Sequence, residues 1–418
     1  MSTNPLPPHI HREVLLDFAG RRLVFATSLE LFSSHQVDVG TRLLLRTIEP
    51  LLSGGSTEGA RLLDLGCGYG PLGVALATLP RVAAVCLADR DALALDFARE
   101  NARRNGLGAD VEERVTFVAS LGLDGVAAGG GEAGYDLVAA NIPGKAGEAV
   151  IASMLLGALG VLRPGGLVAI VVIEPVRDFV AGALARHHLS GDIEVTLRRD
   201  TADYSVFHYR PTDGASFTAP IDDFAAGVYD RGTLTFEDAR GEPASIPTVQ
   251  GLPDYDRANR AEVALTRRLP NIPVDARVLV SNVGQGYLAA YLLSERPRAR
   301  FLLVDRDLLA LRSARRALLA LGCVEGDIET RHLGAWDADA VSDANVNLVM
   351  AVLHEGGSAA AVEAEYVALV RALAPGGRAV LVGSSTAVTR LLACVLPAGM
   401  KASRTRHRGT SVLEVVRV

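Results

Sequence analysis

The chain repeats itself, and that repeat limits the folds open to it more than any other feature. A short apolar run leads into Asp89-Arg90-Asp91-Ala92-Leu93-Ala94-Leu95, and 216 residues later another, 301–304, leads into Asp305-Arg306-Asp307-Leu308-Leu309-Ala310-Leu311. Upstream, Leu65-Gly66-Cys67-Gly68-Tyr69 matches Val283-Gly284-Gln285-Gly286-Tyr287 at an offset of 218. Downstream, Leu162-Arg163-Pro164-Gly165-Gly166 matches Leu373-Ala374-Pro375-Gly376-Gly377 at 211. Three matches in one order at nearly one offset predict a tandem duplication. The 418 residues then divide into domains over 1–212 and 213–418, a usual size for each. The joint falls near Arg210-Pro211-Thr212-Asp213-Gly214, and the Gly-, Pro- and Asp-rich stretch 211–250 is expected to hold the link and a leading hairpin of the second half.

Within the first half, 61–65, 83–88, 115–118, 137–140 and 167–173 are short, continuous apolar runs. Such runs suit strands of a parallel sheet buried on both faces. The span 91–105 reads as a helix, with Asp91 at its start and Gly106 just past its end. Two further runs, 193–197 and 205–209, come close enough to pair antiparallel. The expected fold is α/β, a doubly wound sheet of seven strands, Rossmann-like, made twice. Aromatics supply only 5% of residues, so Ala, Leu, Val and Gly must fill the interior.

The net charge of −6 argues against a surface coated in phosphate-binding charge. It leaves room for a local cluster, because 42 residues are Lys or Arg, nearly all of them Arg. Cys67, Cys86, Cys323 and Cys394 are scattered without metal-site spacing, which argues against a disulfide framework or zinc. The start carries no apolar leader and no apolar run is of membrane-spanning length, so a cytoplasmic protein without membrane or metal partners is expected.

The most informative segment is Leu62-Leu63-Asp64-Leu65-Gly66-Cys67-Gly68-Tyr69-Gly70-Pro71-Leu72-Gly73. A strand must turn sharply into a helix here, and glycines let a ligand approach the backbone. Pro71 suits the first helical turn, where no N–H is needed. Asp89, at the end of the next strand, is placed to accept the hydroxyls of a ribose. Gly68, Gly70 and Gly73 satisfy the G-x-G-x-x-G of dinucleotide enzymes, a weak match on its own. Asp64 before Gly66, Gly68 and Gly70 satisfies instead the acidic G-x-G-x-G of S-adenosylmethionine enzymes. An Asp sits poorly beside a pyrophosphate and well beside an ammonium group, so S-adenosylmethionine is favoured over NAD(P).

These residues resemble the methyltransferase small domain family, which includes the two-copy rRNA guanine-N2 methyltransferases. The likeness extends over nearly all of the first half: Leu23-Val24-Phe25, Phe32-Ser33, Asp38-Val39-Gly40-Thr41-Arg42-Leu43-Leu44, the glycine loop, Asp89, and Asn101-Ala102-Arg103-Arg104-Asn105-Gly106-Leu107. The resemblance implies that Asp38, Gly40 and Thr41 close over the cofactor, with a helix N-cap as the other reading of Asp38 and Thr41. It implies that Asp64 and the loop residues Gly66, Cys67, Gly68 and Gly70 hold the methionine part. Asp89, with Arg90 beside it, would hold the ribose, and Ser120-Leu121 would lie by the adenine. In the second half Asp64 aligns with Asn282 and Gly70 with Leu288, while Asp305 keeps the strand-end acid, so that half resembles a decayed copy. The intact copy comes first, the reverse of the usual order in the rRNA enzymes.

Methyltransferases acting on an amino nitrogen end their fourth strand in Asn-Pro-Pro-aromatic, with Asn orienting the target NH₂ and the ring stacking on a flipped base. Here stand Asn141-Ile142-Pro143-Gly144-Lys145. Asn141 and Pro143 are the candidate catalytic residues, with Asn141 also beside the cofactor, and the stacking ring is replaced by Gly144. Lys145 reads as a solvated loop residue or a phosphate contact. Val352 stands where Asn141 would recur, and His354 reads as structural. The chain is therefore expected to be an S-adenosylmethionine-dependent N-methyltransferase acting on an exocyclic amino nitrogen of RNA, of the rRNA guanine-N2 type. Its partner would be RNA or a ribosomal particle, and its halves would pack as a pseudo-dimer within one monomer. Two alternatives stay open: methylation of a protein or small-molecule amine, for which Gly144 speaks, and a non-catalytic module that senses S-adenosylmethionine or binds RNA.

Overall fold

The computed structural model of the protein describes residues 5–54, 59–107, 114–129, 134–219, 222–407 and 410–418. The chain forms two compact units, His11–Tyr229 and Asp230–Val418, the latter joined by the stretch up to Ile10. The sequence reading ends the first domain at 212, whereas packing carries it on to Tyr229. Ser153 Oγ donates to Asp223 Oδ2 at 2.7 Å, which ties the following stretch back to this unit.

The amino-terminal unit opens with a hairpin, β1 (Arg12–Phe18) and β2 (Arg21–Thr27), followed by α1 (Val39–Gly54). Then come β3 (Ala60–Leu65), α2 (Pro71–Ala77), β4 (Val82–Asp89), α3 (Ala92–Arg104), β5 (Val115–Ala119) and α4 (Asp124–Gly129). The unit closes with β6 (Tyr135–Asn141), α5 (Glu148–Gly157), β7 (Leu162–Ile173), α6 (Glu174–Leu189), β8 (Ile193–Asp200) and β9 (Tyr204–Pro211). The sheet order is β5-β4-β3-β6-β7-β9-β8. β9 runs antiparallel between β7 and β8, and the other pairs are parallel. Every expected strand is present, and the order reverses between β3 and β6, where open α/β sheets bind ligands at the strand ends.

The Asn101…Asn105 pattern acquires a physical meaning here. α3 starts where the Asp91 side chain caps the Leu93 amide and buries Leu93, Ala94, Phe97, Ala98, Asn101 and Ala102 along one face. Asn101, fully buried, accepts from the Ala26 amide at 2.7 Å and donates to the carbonyls of Ala26 and Tyr69. Asn105 exchanges two bonds with the backbone of Val24. The two amides thus pair the edge of β2 and lash the hairpin to the glycine loop.

The carboxy-terminal unit repeats the plan. A hairpin, β10 (Asp230–Glu237) and β11 (Pro243–Val249), lies in the stretch expected to hold one. It leads through α7 (Arg260–Thr266), β12 (Arg277–Ser281), α8 (Tyr287–Glu295), β13 (Arg300–Asp305), α9 (Leu308–Ala320) and β14 (Ile328–His332) to β15 (Val346–Val352). The remaining elements are α10 (Ala359–Arg371), β16 (Leu373–Ser384), α11 (Ser385–Leu391), β17 (Met400–His407) and β18 (Thr410–Arg417). The order β14-β13-β12-β15-β16-β18-β17 is that of the first sheet.

The structure corrects the loop register read from sequence. The Gly66 amide donates to Ala88 O, and the Asn282 amide donates to Val304 O, the residue 216 positions on. Gly68 and Gly284 have φ of 55° and 51°, and the helix caps Gly70 and Gly286 have φ of 88° and 93°. The offset is therefore 216 through the loop, not 218. Asp64 corresponds to Val280, Gly66 to Asn282 and Gly70 to Gly286.

Candidate active site

The glycine loop, the strand-end acid and the β6 corner meet at the carboxyl ends of the parallel strands. Gly66 has φ of 75° and Gly68 of 55°, so both need the left-handed region that glycine tolerates. Among the described residues nothing lies within 4 Å of where a Cβ on either would stand. Gly70 differs, since a Cβ there would meet Val74 and Ala98 at 3.1–3.2 Å. Gly66 and Gly68 thus leave open space over the loop backbone, while Gly70 lets α3 pack close.

Asp89 is half-buried and accepts from the Gly68 amide at 2.8 Å and the Asp91 amide at 2.9 Å, which fix its carboxylate against the loop. Arg90 follows, half-buried. Cys67 is buried, its amide donates to Ala88 O, and burial holds its thiol well above the ordinary value. Its side chain therefore faces the interior. Asp64 is 2% exposed and lies beneath the first turn of α2, where Oδ2 accepts from the Gly73 amide at 2.7 Å. Burial, then the nearby Asp89 charge, push its carboxyl up to about 7 against the opposing backbone bond. A carboxylate already occupies the helix N-terminus that would bind a dinucleotide pyrophosphate. That arrangement disfavours NAD(P), and a Cβ on Gly73 would meet Asp64 Oδ2 at 2.8 Å.

Ser120 and Leu121 are buried at the end of β5, and Ser120 N donates to Asp89 O at 3.0 Å. Asp124, which the sequence reading missed, organises them: its Oδ1 accepts from the Leu121 amide at 2.9 Å and from Ser120 Oγ at 3.2 Å.

At the corner, Asn141 Nδ2 donates to Asp38 Oδ2 at 2.9 Å and to Thr41 Oγ1 at 3.1 Å. The same Asp38 oxygen accepts a backbone amide, so it serves as acceptor here too; Nδ2 is then the end of the Asn141 amide that faces it, and Oδ1 is left without a hydrogen-bond partner among the described residues. Asp38 Oδ2 also accepts from the Thr41 amide at 3.1 Å, so it caps α1 and touches the corner at once. Tyr204, on the distant strand β9 and also missed, donates to Asp38 Oδ1 at 3.1 Å. Burial first, then the Asp38 charge, push its phenol above the ordinary value and keep it a donor. Gly40 permits this packing, because a Cβ would lie 2.8 Å from both Asp38 and the Tyr204 ring.

Gly144 has a structural cause. A Cβ there would overlap the tip of the Ile173 side chain, so no aromatic side chain fits unless Ile173 shifts. Pro143 and Lys145 are exposed beside it.

The same positions are closed in the carboxy-terminal unit. Asn282, at φ of 59°, donates to Val352 O at 2.6 Å and to Glu365 Oε1 at 2.9 Å. Glu365 is 2% exposed and also accepts from Ser281 Oγ and the His354 amide. Gln285 exchanges bonds with Val249 at 3.0 Å, replacing the Asn101 clamp from the loop side.

Among the described residues no His/Cys/Asp/Glu group is arranged for a metal, and no helix is long and apolar enough to cross a membrane. Residues 22–187 match the methyltransferase small domain family. A Streptomyces avermitilis protein named ribosomal RNA large subunit methyltransferase G is 36% identical over 140 residues, 32% of this chain and 33% of the relative. The ribosomal protein L11 methyltransferase of Symbiobacterium thermophilum is 40% identical over 126 residues, 30% and 35% of the two. The chain spans about a third of the length of these curated relatives. The fold as a whole matches a T. thermophilus 16S rRNA N2 G1207 methyltransferase solved with AdoMet and guanosine, with a TM-score of 0.61 over 99% of this chain and 100% of that one at 19% identity.

Proposed function

We propose that the amino-terminal unit is an S-adenosylmethionine-dependent N-methyltransferase acting on an exocyclic amino nitrogen of RNA, of the guanine-N2 type, in the cytoplasm. The observation that carries this reading is the Asp38–Thr41–Asn141 cluster, which engages the amide nitrogen and leaves its oxygen without a partner among the described residues, beside a glycine loop. S-adenosylmethionine, when bound, supplies an already activated methyl group. The residues present fit it: Gly66 and Gly68 leave room over the loop, and Asp89, its carboxylate fixed against the loop, would accept the ribose hydroxyls. Asp64, buried under α2, would act through charge and through the helix it caps rather than by touching the ligand.

Asn141 Oδ1 accepts one N–H of the target amino group, and the carbonyl of Ile142 is the adjacent acceptor. Two acceptors in the plane of the NH₂ aim the nitrogen lone pair at the incoming methyl. Such positioning is most of what the reaction needs from the protein. The carboxy-terminal unit, whose corner is filled by Asn282 and Glu365, does not catalyse.

RNA is supported by the relatives named for ribosomal RNA methylation. The packing of Gly144 on Ile173 supports a second reading, transfer to a protein amine, since it removes the usual base-stacking ring. Full-length protein with methyl-labelled S-adenosylmethionine, offered ribosomal RNA and ribosomal protein separately, discriminates the two. Label in RNA, recovered as N2-methylguanosine after digestion, is the expected result. Label in protein replaces RNA by the second reading, and binding without transfer leaves a sensing module.

A further inference from the structure

The candidate corner does not use a groove of about 630 Å³ between the hairpin turn and α1. Arg21, Arg22, Arg42 and Arg46 line it against Asp17 and Glu49, an excess of two positive charges in a chain of net charge −6. The pairing of Arg22 with Asp17 is solvent-exposed and screened, so it neutralises little. Arg42 is held in place: Nε donates to Val37 O and Nη2 to Leu15 O, both at 3.2 Å. That leaves the rest of a rigid five-donor fork to face the groove. Arg21 and Arg46 are exposed, and their side chains have no ion pair or hydrogen bond among the described residues.

The groove and the corner share α1. Arg42 follows Thr41 directly, and Arg46 lies one turn on along the same face, about 6 Å away at the helical rise. Burial first, then the Asp38 carboxylate, push the Tyr69 phenol in the glycine loop up, and the Arg42 guanidinium opposes them. One helix therefore carries the corner's support at its N-terminus and a row of guanidinium groups just beyond.

We infer that this groove holds backbone phosphates of the RNA strand flanking the methylated nucleotide, with Arg21, Arg42 and Arg46 as the contacts. The inference rests on the RNA reading above. Planar forks match phosphate oxygens two at a time, and a row of them along a helix suits a chain of regularly spaced charges. Such contacts position the strand without reading its sequence.

The test uses full-length protein and a fluorescent 16-nucleotide RNA, with affinity followed by anisotropy from 50 to 200 mM KCl. The double variant Arg21→Ala/Arg46→Ala is expected to bind at least about tenfold more weakly at 100 mM. Its log–log salt slope should be shallower by about 1.4, the value for two single-strand phosphate contacts. Arg21→Lys/Arg46→Lys should keep most of the slope, and Arg210→Ala, on a paired surface arginine, should change neither quantity. Calorimetric affinity for S-adenosylmethionine should stay within twofold in all of them, which also certifies folding. Wild type that binds RNA while the double Ala variant matches it overturns the groove and leaves the RNA reading standing. Wild type that binds no RNA overturns both. Competition by polyglutamate as strong as by RNA overturns the assignment to phosphates.

Discussion

At Gly66 the amino-terminal loop takes a φ of 75° and leaves open the space a side chain would fill; at Asn282 the carboxy-terminal loop takes a φ of 59° and fills it. The backbones agree through the cap glycines and the strand-end acids Asp89 and Asp305, each of which accepts an amide from its own loop. What differs is who satisfies the polar groups. In the amino-terminal unit, Asp38 and Thr41 accept from the Asn141 amide nitrogen, and its oxygen has no partner among the described residues. In the carboxy-terminal unit, Asn282 spends its donors on Val352 O and Glu365, and the corner becomes a closed network. The same fold thus carries two arrangements of polar groups at one corner, one with an amide oxygen left without a partner among the described residues and one with its donors engaged internally. Internal polar networks of the second kind stiffen the backbone they join.

The sharpest break between the copies is at the corner. Asn141→Ala should reduce methyl transfer by about 1,000-fold, the scale of lost positioning, while S-adenosylmethionine affinity stays within threefold by calorimetry. Val352→Asn, the reciprocal change, should create no activity. Next comes the loop. Gly66→Asn, which copies the carboxy-terminal residue, should weaken S-adenosylmethionine binding by about 100-fold, equivalent to roughly 3 kcal/mol, with the thermal transition retained.

A smaller effect separates Asp64 from its counterpart Val280. The carboxyl of Asp64 titrates near 7, and a cationic ligand favours its ionised form, so protons compete with the ligand below that value. Affinity should therefore rise about tenfold from pH 6 to pH 8 and level off above, a dependence of the size linkage allows for one group. Asp64→Asn should flatten it. The smallest effect is at the missing ring. Gly144→Ala should lower stability by about 1 kcal/mol through overpacking on Ile173, read from the denaturant midpoint, and adding Ile173→Ala should restore part of it.

Much of the framework was legible in the sequence because its signals are local. Apolar runs of strand length, the Asp91 cap and the Asp89 and Asp305 repeats each follow from short-range chemistry. The loop register was misread by two residues because alternating glycines match themselves when shifted, and only φ and strand pairing distinguish Gly66 from Gly68. Tyr204 was invisible because it reaches Asp38 across 166 positions of chain, carried there by a closing strand. Asp124 and Glu365 sit on helices as ordinary acids in the sequence, and only burial reveals what they hold. Asp64 was legible as an acid of the right motif, but not as one tucked beneath the helix it caps.

If one copy is open to the sulfonium nucleoside and the other shut, isothermal titration of S-adenosylhomocysteine into the full chain, with Asp89→Ala and Asp305→Ala alongside, should find one site per chain. Asp89→Ala should abolish or strongly weaken that site, and Asp305→Ala should leave it untouched. Two sites per chain, or a single site abolished by Asp305→Ala, would overturn the assignment.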